Sequence, residues 1–573
     1  MSEPRTFVEV LRDRASGRLA HKGYTFLVDG DGATTHLDYA GLERRARAVG
    51  AMLHQYARRG DRALLVFDAG LDYVASLFGC LYAGILAVPV YPPSALRPEA
   101  GVAHIDRVAR DCRATVALST TDLSRRLRPL VAESPSARGL HWLSPSPADA
   151  HEDPSGPMPD LGEDDPAIIQ YTSGSTSDPR GVLLTHRNLL HNARFIREAF
   201  GLSENTCSVS WLPPHHDMGL IGGIIEPLFL GIDTVLLSPQ LFVQRPLILL
   251  QAITRFRGTI CGAPGFGYDL LTRRVPESAK AHLDLSSWSV AFCGAEPVRA
   301  STLDAFAKAF AGCFFRRESF LPCYGLAEAT LLVSAADPQV ESRRLALDSA
   351  ALEEGRVVRA TPETAAPRTL VSCGRPPKGV DVIVVEPESR TLQPEDRSGE
   401  IWVRGQNVSS GYWSDAVATA RTFDARLSTG ESGYLRTGDL GFLDEGELFI
   451  TGRLKDVIII RGRNLYPQDI EATVEHAHPA IRASRSAVFA AEVLDMERVI
   501  VVCEVALRDQ KDRGAIIEAV SRAVASAHGV APHEVVLLGP AQLPRTSSGK
   551  PRRSLSRQQY LAGRFEVLSE AFR

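Results

Sequence analysis

Several short stretches of this chain combine residue types able to hold a phosphate, a ribose or a cation. The densest is Ala167-Ile168-Ile169-Gln170-Tyr171-Thr172-Ser173-Gly174-Ser175-Thr176-Ser177-Asp178-Pro179-Arg180-Gly181-Val182, an apolar run leading into hydroxyls and glycine. Glycine admits positive φ and close approach, and hydroxyls and backbone N–H groups donate to phosphate oxygens. Thr172, Ser173, Gly174, Ser175 and Thr176 are therefore a candidate phosphate loop, with Arg180 adding positive charge. It is not a P-loop, since G-x-x-x-x-G-K-[ST] is absent, and taken alone it also reads as a polar hairpin.

Further along, Tyr324 offers a flat ring for a base to stack on, and Gly325 lets a nucleotide approach the backbone. Glu328 supplies the oxygen that Mg2+ takes alongside substrate phosphates. Asp439 can accept from both hydroxyls of a ribose, and Arg453 can reach the same sugar. Singly, each is as readily an interface tyrosine or a surface ion pair. His215-His216-Asp217 suggests a metal site or a hydrolase triad. Adjacent side chains diverge, however, so one metal does not easily take all three, and no G-x-S-x-G elbow accompanies them.

The elements that must position these residues follow from pattern. Residues 40 to 330 alternate helix-period segments with β-branched runs such as Ala63-Leu64-Leu65-Val66-Phe67 and Thr234-Val235-Leu236-Leu237, an α/β texture with largely parallel strands. Residues 144–165 read as a polar surface connection, and 338–370 as a charged, exposed insertion. Short strands follow, among them Val380-Asp381-Val382-Ile383-Val384-Val385, implying a β-rich subdomain over about 371–452. After Gly452-Arg453-Leu454-Lys455-Asp456 the pattern suggests a separate small α+β domain hinged near Lys455. The expected fold is α/β: a large N-terminal domain (1–452) of α/β subdomains plus the small β-rich one, then a small mobile α+β C-terminal domain (453–573).

With 573 residues, the chain is long enough for several cores. A formal charge of −4 gives no reason to expect nucleic acid or an anionic membrane as partner. Nine dispersed cysteines argue for reduced thiols, not a disulfide framework or structural zinc. Residues 74–91 imitate a membrane span, but Gly79, Gly84 and Pro89 break the run, so a buried helix and strand are expected instead. The N-terminus lacks the apolar stretch of a signal peptide. The expected location is cytoplasmic.

Order adds what the single motifs lack. The loop at 167–182 is followed by Trp211-Leu212-Pro213-Pro214-His215-His216-Asp217-Met218-Gly219-Leu220, Gly294-Ala295-Glu296-Pro297, Tyr324-Gly325-Leu326-Ala327-Glu328, Thr437-Gly438-Asp439-Leu440, Gly452-Arg453-Leu454-Lys455-Asp456 and Pro544-Arg545-Thr546-Ser547-Ser548-Gly549-Lys550. This succession resembles the adenylate-forming superfamily of acyl-CoA synthetases, peptide-synthetase adenylation domains and luciferases, over about residues 20 to 555. The resemblance implies activation of a carboxylate by ATP and Mg2+ as acyl-AMP, with release of pyrophosphate. It makes Thr172–Thr176, Arg180, Gly294, Ala295, Glu296, Tyr324, Gly325, Leu326, Ala327, Asp439 and Arg453 nucleotide contacts, and Glu328 a metal ligand. It places His216 beside the acyl carboxylate and gives Lys550 the adenylation step, where an ammonium would sit between two anions. Arg180 departs from the lysine usual in CoA ligases, and its planar fork meets phosphate differently.

Trp211–Gly223, Gln244-Arg245-Pro246, residues 262–270, Leu283-Asp284-Leu285-Ser286-Ser287-Trp288, Leu370-Val371-Ser372-Cys373-Gly374 and residues 459–470 resemble fatty acyl-AMP ligases more narrowly. That subfamily implies a medium- or long-chain fatty acid, then transfer to the phosphopantetheine of an acyl carrier protein on another chain, as in polyketide or lipopeptide biosynthesis. Its extra segment, at 338–370 here, is thought to restrain rotation of the C-terminal domain. Ile459 stands where many CoA ligases have lysine. Met218, Gly219, Ile221 and Ile224 are candidates for an acyl pocket, although the same spacing suits ordinary core. Alternatives are a fatty acyl-CoA synthetase and, from another class, a catalytically silent nucleotide- or acyl-binding protein.

Overall fold

The computed structural model describes residues 3–29, 32–93, 98–146, 160–172, 180–338, 340–364, 367–460, 463–493, 496–506, 513–546 and 549–565. Two large sheets form its greater part. The first has eight strands in the order Leu332–Ala335, Phe320–Gly325, Val290–Cys293, Ile260–Ala263, Cys207–Ser210, Asp233–Leu237, Gly23–Leu27, Thr34–Asp38. The second has six, His141–Leu143, Val116–Leu118, Arg62–Val66, Leu86–Val90, Pro166–Thr172, Arg180–Thr185. Pairing is parallel except at the ends, where Leu332–Ala335, Thr34–Asp38 and Arg180–Thr185 run antiparallel to their neighbours. Strands such as Leu86–Val90 are buried along their whole length, which is why they read as continuous apolar runs.

The apolar segment at 74–91 forms the expected pair of elements, helix Leu71–Ala83 and strand Leu86–Val90. Gly84 ends the helix in the left-handed region (φ +63°), which a residue without Cβ occupies at little cost. One sheet neighbour is sealed by backbone. Trp413 N–H donates to Gly181 O (2.7 Å) and Leu183 N–H to Gly411 O (3.1 Å), laying residues 411–413 along the outer strand of the six-stranded sheet.

A four-stranded antiparallel sheet follows, Val380–Val385, Gly399–Gly405, Leu435–Asp444 and Glu447–Arg453. The segment at 338–370, expected to be exposed, is not wholly so. Strands Arg344–Asp348 and Pro367–Val371 pair antiparallel around helix Ser349–Glu353. Leu345, Leu347, Leu352 and Leu370 turn inward onto Phe442 and Phe449. Two of its charges find partners: Arg344 on Asp304 (2.9 Å) and the buried Glu353 on Arg463 Nε (2.7 Å). Period-two alternation hid an apolar face inside a charged composition.

The C-terminal part has its own three-stranded sheet, Ile481–Val493, Met496–Val505 and Glu534–Leu538, covered by helices Pro467–Ala477 and Arg513–His528. Its core, around Ile470, Val501 and Val520, consists of residues from this part alone. Ile458 is buried, whereas Ile459 is 55% exposed.

Beneath the eight-stranded sheet lies an aromatic cluster. Phe306 stands edge-on to Tyr268 (5.1 Å) and Phe315 (5.0 Å), and the Trp288 indole N–H donates to Cys261 O and Val290 O. Phe306 is fully buried, so Phe306→Ala is expected to cost about 3–5 kcal/mol, read as a lower urea midpoint for loss of tryptophan fluorescence.

Candidate functional site

The residues with chemical potential gather at the C-terminal ends of the parallel strands, where open α/β sheets place their ligands. Strand Pro166–Thr172 ends at Thr172, Val290–Cys293 leads to Gly294-Ala295-Glu296, and Phe320–Gly325 runs into Glu328. One cavity of about 900 Å³ joins these ends to the β-rich sheet and to Lys550.

Thr172 pairs with Arg180 across the antiparallel strands. Ser173, Gly174, Ser175 and Thr176 lie outside the described residues. The Arg180 guanidinium stands 5.3 Å from the centre of the Tyr412 ring, and the Tyr412 hydroxyl donates to Glu328 Oε1 (2.9 Å). Burial raises the Glu328 carboxyl above its usual range, against hydrogen bonds from its own backbone and from Tyr412. Sequence reasoning missed Tyr412, whose only signal is an aromatic residue after Ser409-Ser410-Gly411. A divalent cation fits this corner. Glu328 borders the cavity, and among the described residues no three acidic, histidine or cysteine side chains form a cage. A single carboxylate suits Mg2+, which takes its other ligands from phosphates and water.

Also bordering the cavity, Asp439 and Arg453 face each other on paired strands. Arg453 Nε donates to Asp439 Oδ1 (2.8 Å) and the Tyr324 hydroxyl to Oδ2 (2.8 Å), so both carboxylate oxygens are directed. Asp439 holds the Arg453 guanidinium above its ordinary value. Gly325 is required by packing: a Cβ there would lie 1.7 Å from the Leu331 carbonyl oxygen. Leu326 N–H donates to that same oxygen (3.0 Å), and Ala327 begins the short turn that carries Glu328.

Lys550 arrives from the C-terminal part. Its backbone N–H donates to Thr546 Oγ1 (3.0 Å), Thr546 N–H donates back to Lys550 O (2.8 Å), and Gly549 adopts φ +88°. The Lys550 ammonium donates to the carbonyl oxygen of Ala295, a residue itself held at φ +69°. Burial pulls the Lys550 ammonium below its usual value, the nearby Glu296 carboxylate pushes back, and Arg453 adds to the lowering. Glu296 also accepts from Phe266 N–H (3.0 Å). Gly294 packs where a Cβ would lie 2.8 Å from Cys323 O. Lys455 occupies the short turn Leu454–Asp456, its ammonium lowered by burial and by Arg453.

His216 and Asp217 form the next wall. His216 Nδ1 lies 2.6 Å from Asp217 Oδ1, which also accepts from Met218 N–H (2.8 Å). The His215 ring lies 5.9 Å from Tyr91, which stacks on His104 at 4.3 Å; burial lowers His215 to about 3. From Met218 a wide helix with an i→i+5 bond runs to Ile225. Met218 and Gly222 border the cavity, as do Phe200 and Phe292. Gly219 stands behind that wall, where a Cβ would meet Pro213 O at 2.0 Å, and Ile221 and Ile224 belong to the hydrophobic core. Glu226 also borders the cavity and was missed, although it is an acid in an otherwise apolar run.

Known proteins resemble this chain over nearly its whole length. The family model described as AMP-binding enzyme matches residues 15–413, and that described as Disco-interacting protein 2-like, AMP domain, matches 455–570. The chain is 42% identical to the medium-chain-fatty-acid–[acyl-carrier-protein] ligase JamA of Moorena producens (strain JHB), over 98% of this chain and 96% of that protein. A structure from work on fatty acyl-adenylate ligases of E. coli and L. pneumophila superposes with a TM-score of 0.89 at 35% identity, covering 98% of both chains. The L. pneumophila fatty acyl-adenylate ligase in complex with acyl adenylate and pyrophosphate gives a TM-score of 0.76 at 36% identity, covering 99% of this chain and 98% of that one.

Burial raises the Asp217 carboxyl, but the His216 ring, Met218 N–H and Lys550 together take it below the ordinary 3.8. A depressed carboxyl contributes stability that is present above the ordinary value and lost as pH falls through the folded one. His216→Ala removes the largest opposing contribution, so acid unfolding followed by tryptophan fluorescence is expected to begin at a higher pH than in the parent.

Proposed function

Because this chain belongs to the AMP-binding enzyme family, among the fatty acyl-AMP ligases of the adenylate-forming superfamily, we propose that its cavity is the adenylation site, with roles divided wall by wall. The enzyme uses ATP to activate a fatty acid as acyl-AMP and releases pyrophosphate. Adenine stacks on Tyr324 beside Gly294, Ala295, Leu326 and Ala327, while Asp439 and Arg453 take the ribose. Thr172 and Arg180 belong to the phosphate side, with Ser173–Thr176. Glu328 would hold Mg2+, which when bound neutralises charge on the phosphates.

The observation that carries this reading is the reach of Lys550 across 255 residues of sequence to the Ala295 carbonyl, between the Glu296 and Asp217 sides of one cavity. An ammonium there meets both anions as they combine. A carboxylate oxygen of the fatty acid attacks the α-phosphorus, the O–P bond forms, and the bond to the pyrophosphate oxygen breaks. Lys550 stabilises the charge that accumulates. His216, positioned by Asp217, orients the carboxylate, and Met218 and Gly222 begin the acyl wall. Gly219, Ile221 and Ile224 support that wall from behind.

The second step passes the acyl group to a carrier thiol: sulfur attacks the acyl carbonyl, the C–S bond forms, the acyl C–O bond to the phosphate breaks, and AMP leaves while the thiol proton passes to solvent. Residues 453–573 turn about Lys455 to bring the carrier in. Two observations favour a carrier over CoA. Ile459 presents an apolar side chain to solvent where a cation would greet CoA, and Glu353 in the 338–370 segment holds Arg463 beyond the hinge.

Lys550→Ala is expected to lower the rate of pyrophosphate release by about a hundred-fold or more, with fatty-acid binding by calorimetry retained. Adenylation at the parental rate would overturn the role of Lys550. The lowered ammonium has a pH signature: it is lost as pH rises through its depressed value, so the alkaline limb of kcat/KM falls below the ordinary lysine value of 10.5. Offered both acceptors, the enzyme is expected to load a phosphopantetheinylated carrier protein faster than CoA. Efficient acyl-CoA formation would refute carrier specificity.

A further inference from the structure

The acyl wall holds a group that a plain hydrocarbon chain does not explain. Glu226 follows the wide helix Met218–Ile225 and opens helix Glu226–Leu230. It is the only charged residue between Met218 and Ile232. It is 2% exposed, and neither carboxyl oxygen has a hydrogen-bond partner among the described residues. It nonetheless borders the cavity, one turn beyond Gly222, with the apolar Ile196, Phe200, Phe292 and Leu332 as fellow walls.

Gly222 leaves this approach open: a Cβ added there would meet only Leu331 Cδ2, at 3.8 Å. The charge that most affects Glu226 is Arg197, whose guanidinium is turned over the Phe229 ring (5.7 Å) and makes no hydrogen bond to the carboxyl. Burial pushes the Glu226 carboxyl well above its ordinary value, which favours the protonated form. In that form it offers one O–H donor and a carbonyl acceptor. A buried polar group left unpaired is costly, and a saturated chain passing it cannot relieve that cost. A hydroxyl or keto oxygen on the chain can.

We propose that Glu226 is a specificity-determining residue which hydrogen-bonds an oxygen substituent on the distal part of the acyl chain, so that the preferred substrate is an oxygenated fatty acid. This rests on the reading of the cavity as the adenylation site with its acyl arm beyond His216. A hydroxyl gains a partner that already lacks one, whereas an alkyl chain of equal length leaves the carboxyl stranded. Sites of this kind discriminate against the analogue that lacks the polar group.

The test uses the full chain with ATP and Mg2+ and follows pyrophosphate release. Straight-chain acids from hexanoic to dodecanoic are each paired with terminal and penultimate hydroxy and keto derivatives of the same length. For at least one pair, kcat/KM is expected to favour the oxygenated acid by about ten-fold or more. Glu226→Leu should abolish that preference, and Glu226→Gln, which keeps a donor and an acceptor, should retain most of it. A parent enzyme that favours the unsubstituted acid at every length would overturn the proposal, even if the leucine variant fails to fold. An unchanged ratio in a folded leucine variant would overturn it too, leaving Glu226 a structural group satisfied by water. Turnover of alkanoates alone would sink only the proposal. No pyrophosphate with any fatty acid would sink the adenylation reading beneath it as well.

Discussion

An ammonium taken out of water must be met by negative charge or it will shed its proton. Lys550, half-buried in the cavity, sets this condition for its surroundings. Its ammonium rests on the Ala295 carbonyl, with the carboxylates of Glu296, Asp217 and Asp439 near enough to oppose the loss of its proton. Each comes from a different element: a turn after one parallel strand, the start of a wide helix, and a strand of the four-stranded sheet. Bringing Lys550 in therefore requires the C-terminal part to lie against both of the others.

The parallel sheets make that convergence possible. Parallel strands deliver all their outgoing loops to one end, so a series of motifs far apart in sequence becomes a row of neighbours. The wall residues are fixed by packing as well as by hydrogen bonds. Gly325 approaches the Leu331 carbonyl too closely for any side chain, and Gly219 does the same against Pro213. These glycines serve shape first, and their neighbours Tyr324 and Met218 line the cavity.

Much of this was legible in the sequence because its signals were local. Apolar runs marked the parallel strands, and the ordered motifs marked Tyr324, Glu328, Asp439, Arg453 and Lys550 before any of them was seen to share a cavity. What escaped was tertiary. The leucines of residues 338–370 were masked by their charged neighbours until strand alternation sorted them. Tyr412 bears on Glu328 only through a contact 84 residues long in sequence. Ile221 and Ile224 have the same apolar character as Met218, and only the direction in which the helix presents them separates core from cavity wall. Ile459, in an all-isoleucine run, is exposed because a two-stranded ribbon buries one face only.

The seam formed by residues 411–413 has an effect beyond placing Tyr412 against Arg180. A sheet edge with free N–H and C=O groups is a template on which a second chain can pair and begin to aggregate. Along residues 181–183 those groups are already taken by Gly411 and Trp413. The strand that borders the cavity at Arg180 is thus also shielded from self-association, and loosening this seam would expose the protein to aggregation through that edge.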